Sequence, residues 1–184
     1  MMGDEVLGGI PSLFKAACNP EKTGKKWAVF LEPAVLRNAA QRMKDDGYHL
    51  EDITGLDTKD GLLAVYHFDH YTCPGRIALY VIIPHTDPKL PSISSIYSGA
   101  GWHERECHDF YGIQFTDHPH LDPLLMPDDL KIHPLLKDDD AHIPLKEFFV
   151  PEAIIEKETN FTLLDGTDAP DEATPASNDT EGST

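Results

Sequence analysis

The sequence contains few of the features that mark a membrane span or a nucleic-acid surface. Its longest apolar run covers residues 77–83, far short of the roughly 20 residues that cross a bilayer as a helix. Its 15 Lys and Arg residues against 32 Asp and Glu residues give a formal net charge of −17. This excludes the basic footprint on which nucleic-acid binding depends, and it disfavours docking on an anionic lipid surface. The N-terminus lacks a basic stretch followed by an apolar core, so we expect no secretory signal and a cytoplasmic protein.

Cysteine and glycine motifs are also scarce. The three cysteines, Cys18, Cys73 and Cys107, form no C-x-x-C pair and are odd in number, which is typical of free thiols in a reducing compartment. Three scattered thiols cannot hold an iron–sulfur cluster unaided. The glycine-rich phosphate loops G-x-G-x-x-G and G-x-x-x-x-G-K are absent. The sequence therefore predicts no catalytic residue, no bound cofactor and no metal ligand.

Hydrophobic periodicity predicts a helix and four strands in the first half of the chain. The helix begins at Pro33 and ends before Gly47, with apolar residues at helical spacing between them. Strands are predicted over 27–31, 48–56, 62–68 and 76–83, and short turn clusters between the last three indicate antiparallel pairing. We expect an α+β fold: an antiparallel or mixed four-stranded sheet with helices packed on one side, followed by an extended proline-rich C-terminal arm.

Composition divides the chain into four parts. Residues 1–26 form an N-terminal lead-in with weak structural signals, and residues 27–117 form the α+β core domain. Residues 118–164 are rich in proline and have too few large apolar side chains for a core of their own, so we expect an arm that lies on another surface. Residues 165–184 contain six acids, no base and no aromatic residue, and we expect this acidic tail to be disordered.

The most informative stretch is WHERECHDFYGI, residues 102–113. We predict a helix from about Ala100 to Tyr111 that ends at Gly112, preceded by a short helical piece over 93–97. Charged residues stand here among core-forming side chains, and charges are costly to bury unless they are paired. His103 and His108 lie about 140° apart around a helix, so they lack the i, i+4 spacing of zinc-protease ligands. A free-standing metal-dependent enzyme that uses His103, Cys107 and outlying His residues is nevertheless retained as a further alternative.

Helical phase provides a second interpretation of this stretch. A step of 100° per residue places on one continuous side Trp102, His103, Glu106, Cys107 and Phe110. Glu106 is therefore the acid expected against the apolar face. Two pairs have the i, i+4 spacing of helical ion pairs: Arg105 with Asp109, and Glu104 with His108. Either the helix faces solvent with ordinary charges, or its charges form a buried network within the domain or against another protein.

Four blocks of sequence occur in the order and spacing of a known family. Residues 104–113 read E-R-E-x-x-D followed by two hydrophobic residues and Gly-Ile, and a serine-rich lead-in over 92–101 precedes Trp102. Residues 115–121 read FTDHPHL, and residues 133–137 read HPLLK. Together these blocks resemble the signature of the 30 kDa subunit family of respiratory complex I, which in bacteria is the C subunit of NADH-quinone oxidoreductase.

The resemblance implies a non-catalytic scaffold subunit of an enzyme, a proton-translocating NADH:quinone oxidoreductase, with this chain in the peripheral arm. It implies a position on the cytoplasmic side of the cell membrane, peripheral through the complex and without a membrane span. The implied partners are the 49 kDa-type (hydrogenase-like) subunit and the small iron–sulfur subunit. FMN, iron–sulfur clusters and quinone would be bound by partner subunits and not by this chain. Residues that match the assembly signature are Trp102, Glu104, Arg105, Glu106, Asp109, Phe110, Gly112, Ile113, His118, Pro119, Pro134 and Lys137.

Three positions depart from the family pattern. Asp117 replaces the usual glycine, and Asp122 and Leu136 replace usual basic residues that would face partner subunits. An alternative is therefore the equivalent subunit of a membrane-bound energy-converting hydrogenase, a formate hydrogenlyase-like complex or an F420-linked complex.

Overall fold

The computed structural model describes residues 2–127, 129–149 and 153–159. The predicted acidic tail, residues 165–184, lies outside the described residues. No helix in these three segments is long and apolar enough to cross a membrane.

A six-stranded sheet forms the centre of the domain. Its strands are β1 (Phe14–Cys18), β2 (Trp27–Phe30), β3 (His49–Thr58), β4 (Gly61–Asp69), β5 (Ile77–Ile83) and β8 (Ile154–Thr159). Their spatial order is β3-β4-β5-β2-β1-β8. Strands β2 and β5 pair in parallel, and every other neighbouring pair is antiparallel. Two short strands, β6 (Lys89–Pro91) and β7 (Gln114–Thr116), form a separate parallel pair.

The longer helices cover one face of this sheet. The helices are α1 (Met2–Leu7), α2 (Pro20–Thr23), α3 (Leu36–Asp45), which follows a 3-10 turn at Pro33–Val35, and α4 (Ala100–Tyr111). Alternate residues of β4, among them Tyr66 and Phe68, join the core that contains Leu36 of α3 and Cys107 of α4. Leu63 of β4 faces the opposite side, as the two-residue period of a strand requires. The predicted α+β class with helices on one side is confirmed.

The C-terminal part of the described chain covers the opposite face. Leu145 is fully buried there, beside an aromatic cluster of β1, β2 and β5. The rings of Phe30 and Tyr80 stack with centroids 4.8 Å apart, and the ring of Phe149 lies 5.2 Å from that of Phe30. The sheet is thus buried on both faces.

The predicted count of four strands was wrong. β1 lies in the predicted lead-in and joins the sheet by pairing with β2, and β8 lies in the predicted arm and joins it by pairing with β1. β1 reads FKAAC, with small residues of low strand propensity. β8 reads IIEKET, whose charges suit an edge strand and hide its strand character. Both segments form strands because they pair with residues distant in the sequence. Local sequence patterns contain no information about such pairing.

The predicted helical piece at 93–97 is a single turn and not a helix. The amides of Ile96 and Tyr97 both bond to the carbonyl of Ile93, but the chain then continues into turns. Ser92 Oγ and the Ile93 amide, at the start of this turn, both donate to the side chain of Glu104.

Helix α4 approaches β3 closely at Gly55. A Cβ atom at this position would overlap the ring of Tyr111 from the last turn of α4. Glycine in a strand interior normally costs stability relative to alanine, so its presence here is explained by the close approach of the helix.

We therefore predict that Gly55→Ala lowers the free energy of unfolding by about 1–3 kcal/mol, the usual cost of overpacking. The matched control is Gly99→Ala at the start of α4, where a Cβ atom would meet nothing within 4 Å. The control should be neutral or slightly stabilising. Urea unfolding of both variants tests this, and equal effects of the two substitutions would contradict the packing account.

Candidate assembly site around the signature helix

Helix α4 carries the signature residues, and its buried side differs from the predicted one. The buried residues of the helix are Ala100, Glu104, Cys107 and Asp109. Glu106 is exposed, and Trp102 is 63% exposed. The expectation that Glu106 faces the core was wrong. Ala100, Glu104 and Cys107 follow the i, i+4, i+7 stripe of a helix face, and the small side chain of Cys107 lies against β3, with its Sγ 3.8 Å from the carbonyl of Ile53.

Glu104 is fully buried and is bonded outside its own helix. Its carboxylate accepts hydrogen bonds from Ser92 Oγ at 2.6 Å and from the Ile93 amide at 2.7 Å. His118 Nε2 lies 3.7 Å from the same carboxylate. The predicted pair with His108 does not form, because His108 Nδ1 lies 3.0 Å from the carbonyl of Ile113. Glu104 therefore connects helix α4 to the turn that follows β6, through Ser92 and Ile93. It also brings α4 close to His118, where the C-terminal segment begins.

The environment of Glu104 opposes its ionisation. Burial raises the pKa of this carboxyl to about 7, although the bonds from Ser92 and Ile93 and the charge of Arg37 act in the opposite direction. Glu104 is thus close to half-protonated near neutral pH.

Residues 118–149, with Asp128 outside the described chain, run past α4 and on to the β3–β4 hairpin, and we call them the wrapping segment. Asp109 fixes its first part: one carboxylate oxygen accepts the amides of Leu124 at 2.8 Å, Leu125 at 2.6 Å and Met126 at 3.1 Å. Burial alone would raise the pKa of Asp109, but these three amides, together with His108, hold that pKa below its usual value. The carboxylate is therefore ionised and serves as an acceptor for three successive amides.

Arg105 fixes the residues just before this turn. Its Nε and one terminal nitrogen donate to the carbonyls of Asp122 and Pro123, each at 2.8 Å. Its guanidinium also lies 5.5 Å from the centroid of the Trp102 ring. Arg105 and Asp109 do not pair with each other as predicted. Both instead bind the backbone of the wrapping segment, the arginine to carbonyls and the aspartate to amides.

A second attachment lies at the end of α4. His133 Nδ1 is 2.8 Å from the carbonyl of Asp109, and the amide of Leu135 donates to the carbonyl of Phe110 at 3.1 Å. Gly112 ends the helix with φ 73°, and a Cβ atom there would lie 2.8 Å from the His133 ring. Glycine is therefore required both by the backbone and by the bound segment.

A third attachment joins the wrapping segment to the hairpin between β3 and β4. The amide of Lys137 donates to Asp57 Oδ2 at 2.8 Å, and the amide of Leu145 donates to Asp60 Oδ2 at 2.7 Å. The amide of Lys59 donates to the carbonyl of Ile143 at 3.0 Å. The sequence predicts a turn at 57–61, but no sequence pattern predicts that these residues bind the wrapping segment.

Asp57 also brings together side chains that no motif connects. His85 Nε2 lies 2.7 Å and His142 Nε2 lies 3.1 Å from Asp57 Oδ1. Burial would raise the pKa of Asp57, but the Lys137 amide, His85 and His142 hold that pKa below its usual value. The sequence predicted no metal ligand, whereas these three side chains are of ligand type.

The twelve signature residues fall into buried and exposed groups. Glu104, Asp109, Gly112 and Ile113 are buried, and the side chain of His118 is 3% exposed. Arg105 and Phe110 are partly exposed, and the exposed members are Trp102, Glu106, Pro119, Pro134 and Lys137. Four residues of the same network were not among the predicted signature residues: Asp57, Asp60, Ser92 and His133, of which the last two lie in the matched blocks.

The alternative of a metal site at His103 and Cys107 is not supported by the geometry. Cys107 is buried and its Sγ lies 3.8 Å from the carbonyl of Ile53, toward β3. Within the described segments the clustered ligand-type side chains include neither His103 nor Cys107.

The wrapping segment presents large apolar side chains to solvent. Its exposed apolar side chains include Leu125 61%, Leu130 43%, Ile132 56%, Leu135 46%, Leu136 43% and Ile143 40%. Trp102 of α4 is exposed beside the residues that Arg105 holds. We call these seven side chains the apolar surface. Several large apolar side chains that are exposed on one fixed segment indicate an interaction surface.

Fold and site define a class of protein: a small α+β domain that fastens an extended segment to its own helix and displays apolar side chains from it. The family model described as "Respiratory-chain NADH dehydrogenase, 30 Kd subunit" matches residues 29–144, and the chain belongs to this family. The family predicted from the signature blocks is confirmed.

Two relatives and one solved structure illustrate the similarity. The C subunit of NADH-quinone oxidoreductase from Roseiflexus castenholzii is 38% identical over 118 residues, which cover 60% of this chain and 68% of the relative. The C subunit of F(420)H(2) dehydrogenase from Methanosarcina mazei is 43% identical over 93 residues, which cover 49% and 59%. The solved trypsin-resistant fragment (1–134) of Nqo5 aligns with a TM-score of 0.54 at 25% identity, covering 65% of this chain and 99% of that one.

The buried carboxyl of Glu104 predicts a specific pH dependence of stability. Its pKa in the folded state, about 7, exceeds its ordinary value of 4.5, so the folded state binds the proton more tightly. The stability that the protonated carboxyl of Glu104 contributes to the folded state is fully present below about pH 4.5 and is lost as the pH rises through 7. We expect the wild type to lose roughly 3 kcal/mol relative to Glu104→Gln across this window, since one pKa unit corresponds to 1.36 kcal/mol. Urea unfolding between pH 4.5 and 8 measures it, and parallel curves would refute the shift.

The acceptor role of Asp109 predicts a local effect on the wrapping segment. Asp109→Ala should remove the hydrogen-exchange protection of the amides of Leu124, Leu125 and Met126, because a buried charge-assisted acceptor is lost. The matched control is Glu106→Ala on the exposed side of the same helix, which should change stability by less than about 0.5 kcal/mol. Retained protection in Asp109→Ala would show that the segment is held by other contacts.

Proposed function

We propose that this chain is a non-catalytic scaffold subunit of the peripheral arm of a proton-translocating NADH:quinone oxidoreductase, supporting electron transfer from NADH to quinone without taking part in the chemistry. The observation that carries this proposal is the wrapping segment, whose backbone is fixed by Arg105, Asp109 and His133 while its apolar side chains point outward. Membership of the 30 kDa subunit family supports the same assignment.

The physical argument concerns the cost of ordering. An extended segment without its own core would lose conformational entropy on binding a partner. Here three attachments have already fixed the backbone, so the partner only has to cover side chains that are exposed. Burial of apolar surface contributes about 25 cal/mol per Å², and the fixed backbone leaves more of that gain available for assembly.

The proposed partners are the 49 kDa-type, hydrogenase-like subunit and the small iron–sulfur subunit of the same complex. FMN, iron–sulfur clusters and quinone are assigned to partner subunits. The thiols support this division, because Cys18 and Cys107 are buried, Cys73 is exposed, and all three are free. The complex would place the chain at the cytoplasmic side of the cell membrane, as a peripheral subunit.

A second candidate is the equivalent subunit of an F420-linked complex or a membrane-bound energy-converting hydrogenase. The similarity to the F(420)H(2) dehydrogenase subunit of Methanosarcina mazei favours it. The same surface would then bind a related large subunit. Mass spectrometry of the subunits that copurify with the chain decides between the two, since NADH-binding flavoprotein subunits support the first and an F420-oxidising or nickel–iron subunit supports the second.

A charge placed on the apolar surface should block assembly. We expect Leu125→Glu and Ile132→Glu each to reduce recovery of the large subunit with the tagged chain by at least about tenfold, because interface cores tolerate charges poorly. Both residues are more than half exposed in the free chain, so folding should be retained, which circular dichroism checks.

The matched control is Ile155→Glu, at a position 71% exposed on the edge strand β8. It introduces the same charge on a different element and should copurify as the wild type does. Normal assembly of both Leu125→Glu and Ile132→Glu would overturn the proposed use of this surface.

A further inference from the structure

Three side chains from distant parts of the chain meet at one point beside the β3–β4 hairpin. Asp57 lies near the end of β3, His85 follows β5, and His142 belongs to the wrapping segment. One oxygen or nitrogen atom from each lies within 4.8 Å of the corresponding atoms of the other two. The two imidazole Nε2 atoms approach the same carboxylate oxygen, at 2.7 Å and 3.1 Å.

Hydrogen bonding within the protein accounts for only part of this cluster. Asp57, whose side chain is 1% exposed, already receives the Lys137 amide on its other oxygen and His85 on this one. His142 is 13% exposed, and its Nε2 has no properly directed hydrogen bond among the described residues although it is buried from solvent. A buried imidazole nitrogen thus points at an oxygen that is already bonded.

We propose that Asp57, His85 and His142 form a binding site for a divalent zinc ion, with Asp57 Oδ1 and the two Nε2 atoms as ligands. Two imidazoles and one carboxylate are a donor set that suits zinc, whereas calcium and magnesium prefer oxygen ligands throughout. Zinc bonds of about 2.0–2.1 Å in a tetrahedron separate ligand atoms by about 3.3 Å. The separation of His142 Nε2 from Oδ1, 3.1 Å, is close to this value, and that of His85 Nε2, 2.7 Å, would lengthen when the ion replaces the hydrogen bond.

The charges and exposure of the cluster suit an ion with one open position. Asp57 supplies one negative charge in a buried position, and the Lys137 amide on Oδ2 orients the carboxylate as outer hydrogen bonds do at metal sites. The side chain of His85 is 39% exposed, so solvent can reach the site and supply a fourth ligand. The ion would link the sheet to the wrapping segment, because His142 comes from the segment and the other two ligands come from the domain.

This inference is independent of the proposed scaffold role and is tested on the full chain alone. Zinc chloride is titrated into metal-free protein by isothermal calorimetry, and cobalt(II) absorption reports the coordination geometry. We expect saturation at one ion per chain with a tetrahedral cobalt spectrum. Since changes in outer-shell partners alone cost about 10–100-fold in metal affinity, His85→Ala or His142→Ala should weaken binding by about 100-fold or more.

The matched control is His120→Ala, which removes an exposed imidazole of the same segment outside the cluster. It should bind zinc as the wild type does. Limited trypsin digestion provides a second readout, because zinc should slow cleavage after Lys137 in the wild type and in His120→Ala but not in His142→Ala. Absence of saturable binding, or binding that survives both His85→Ala and His142→Ala, would overturn the proposal.

Discussion

The carboxylate of Asp109 is the interaction on which the arrangement of the C-terminal half depends. One oxygen accepts three successive amides of the wrapping segment, and hydrogen bonds to a charged acceptor are each worth about 1.5–3 kcal/mol. Arg105, one helical turn earlier, binds the carbonyls that precede these amides. Helix α4 therefore supplies a guanidinium for the carbonyls and a carboxylate for the amides of the same stretch of backbone. A segment with five prolines between 119 and 144 cannot form long regular elements, and the side chains of α4 supply partners for part of its backbone.

Two acids on the same helix have opposite environments. Glu104 faces the sheet with two donors and a high pKa, whereas Asp109 faces the wrapping segment with three amide donors and a low pKa. The difference follows from the balance between burial and hydrogen bonds. Ionisation of Glu104 therefore lowers the stability of the folded state. The same carboxyl group holds Ser92 and Ile93 in place through hydrogen bonds. Asp109 is ionised at no such cost and fixes the exposed segment.

The local signals in the sequence predicted the parts of the fold that depend on nearby residues. Helix α4 and its end at Gly112, helix α3 and the three strands of the central meander were each found from periodicity and turn residues. β1 and β8 were not found, because FKAAC and IIEKET become strands only through pairing with each other and with β2. The predicted orientation of α4 was wrong for a similar reason. Trp102 and Phe110 suggested an apolar face, whereas the close approach of β3 at Gly55 selects the face with Ala100 and Cys107.

The sequence by itself determined the family, the α+β class and the set of signature residues, because these depend on residue order and on short-range periodicity. It also predicted that the C-terminal segment, which lacks a core of its own, lies on another surface. Only the tertiary structure decided which charge is buried and what each charge binds. Glu104 meets Ser92 twelve residues away and Asp57 meets Lys137 eighty residues away, and no spacing rule of a single helix or strand encodes contacts over such separations. The convergence of Asp57, His85 and His142 is of the same kind, because it results from folding the wrapping segment back onto the β3–β4 hairpin.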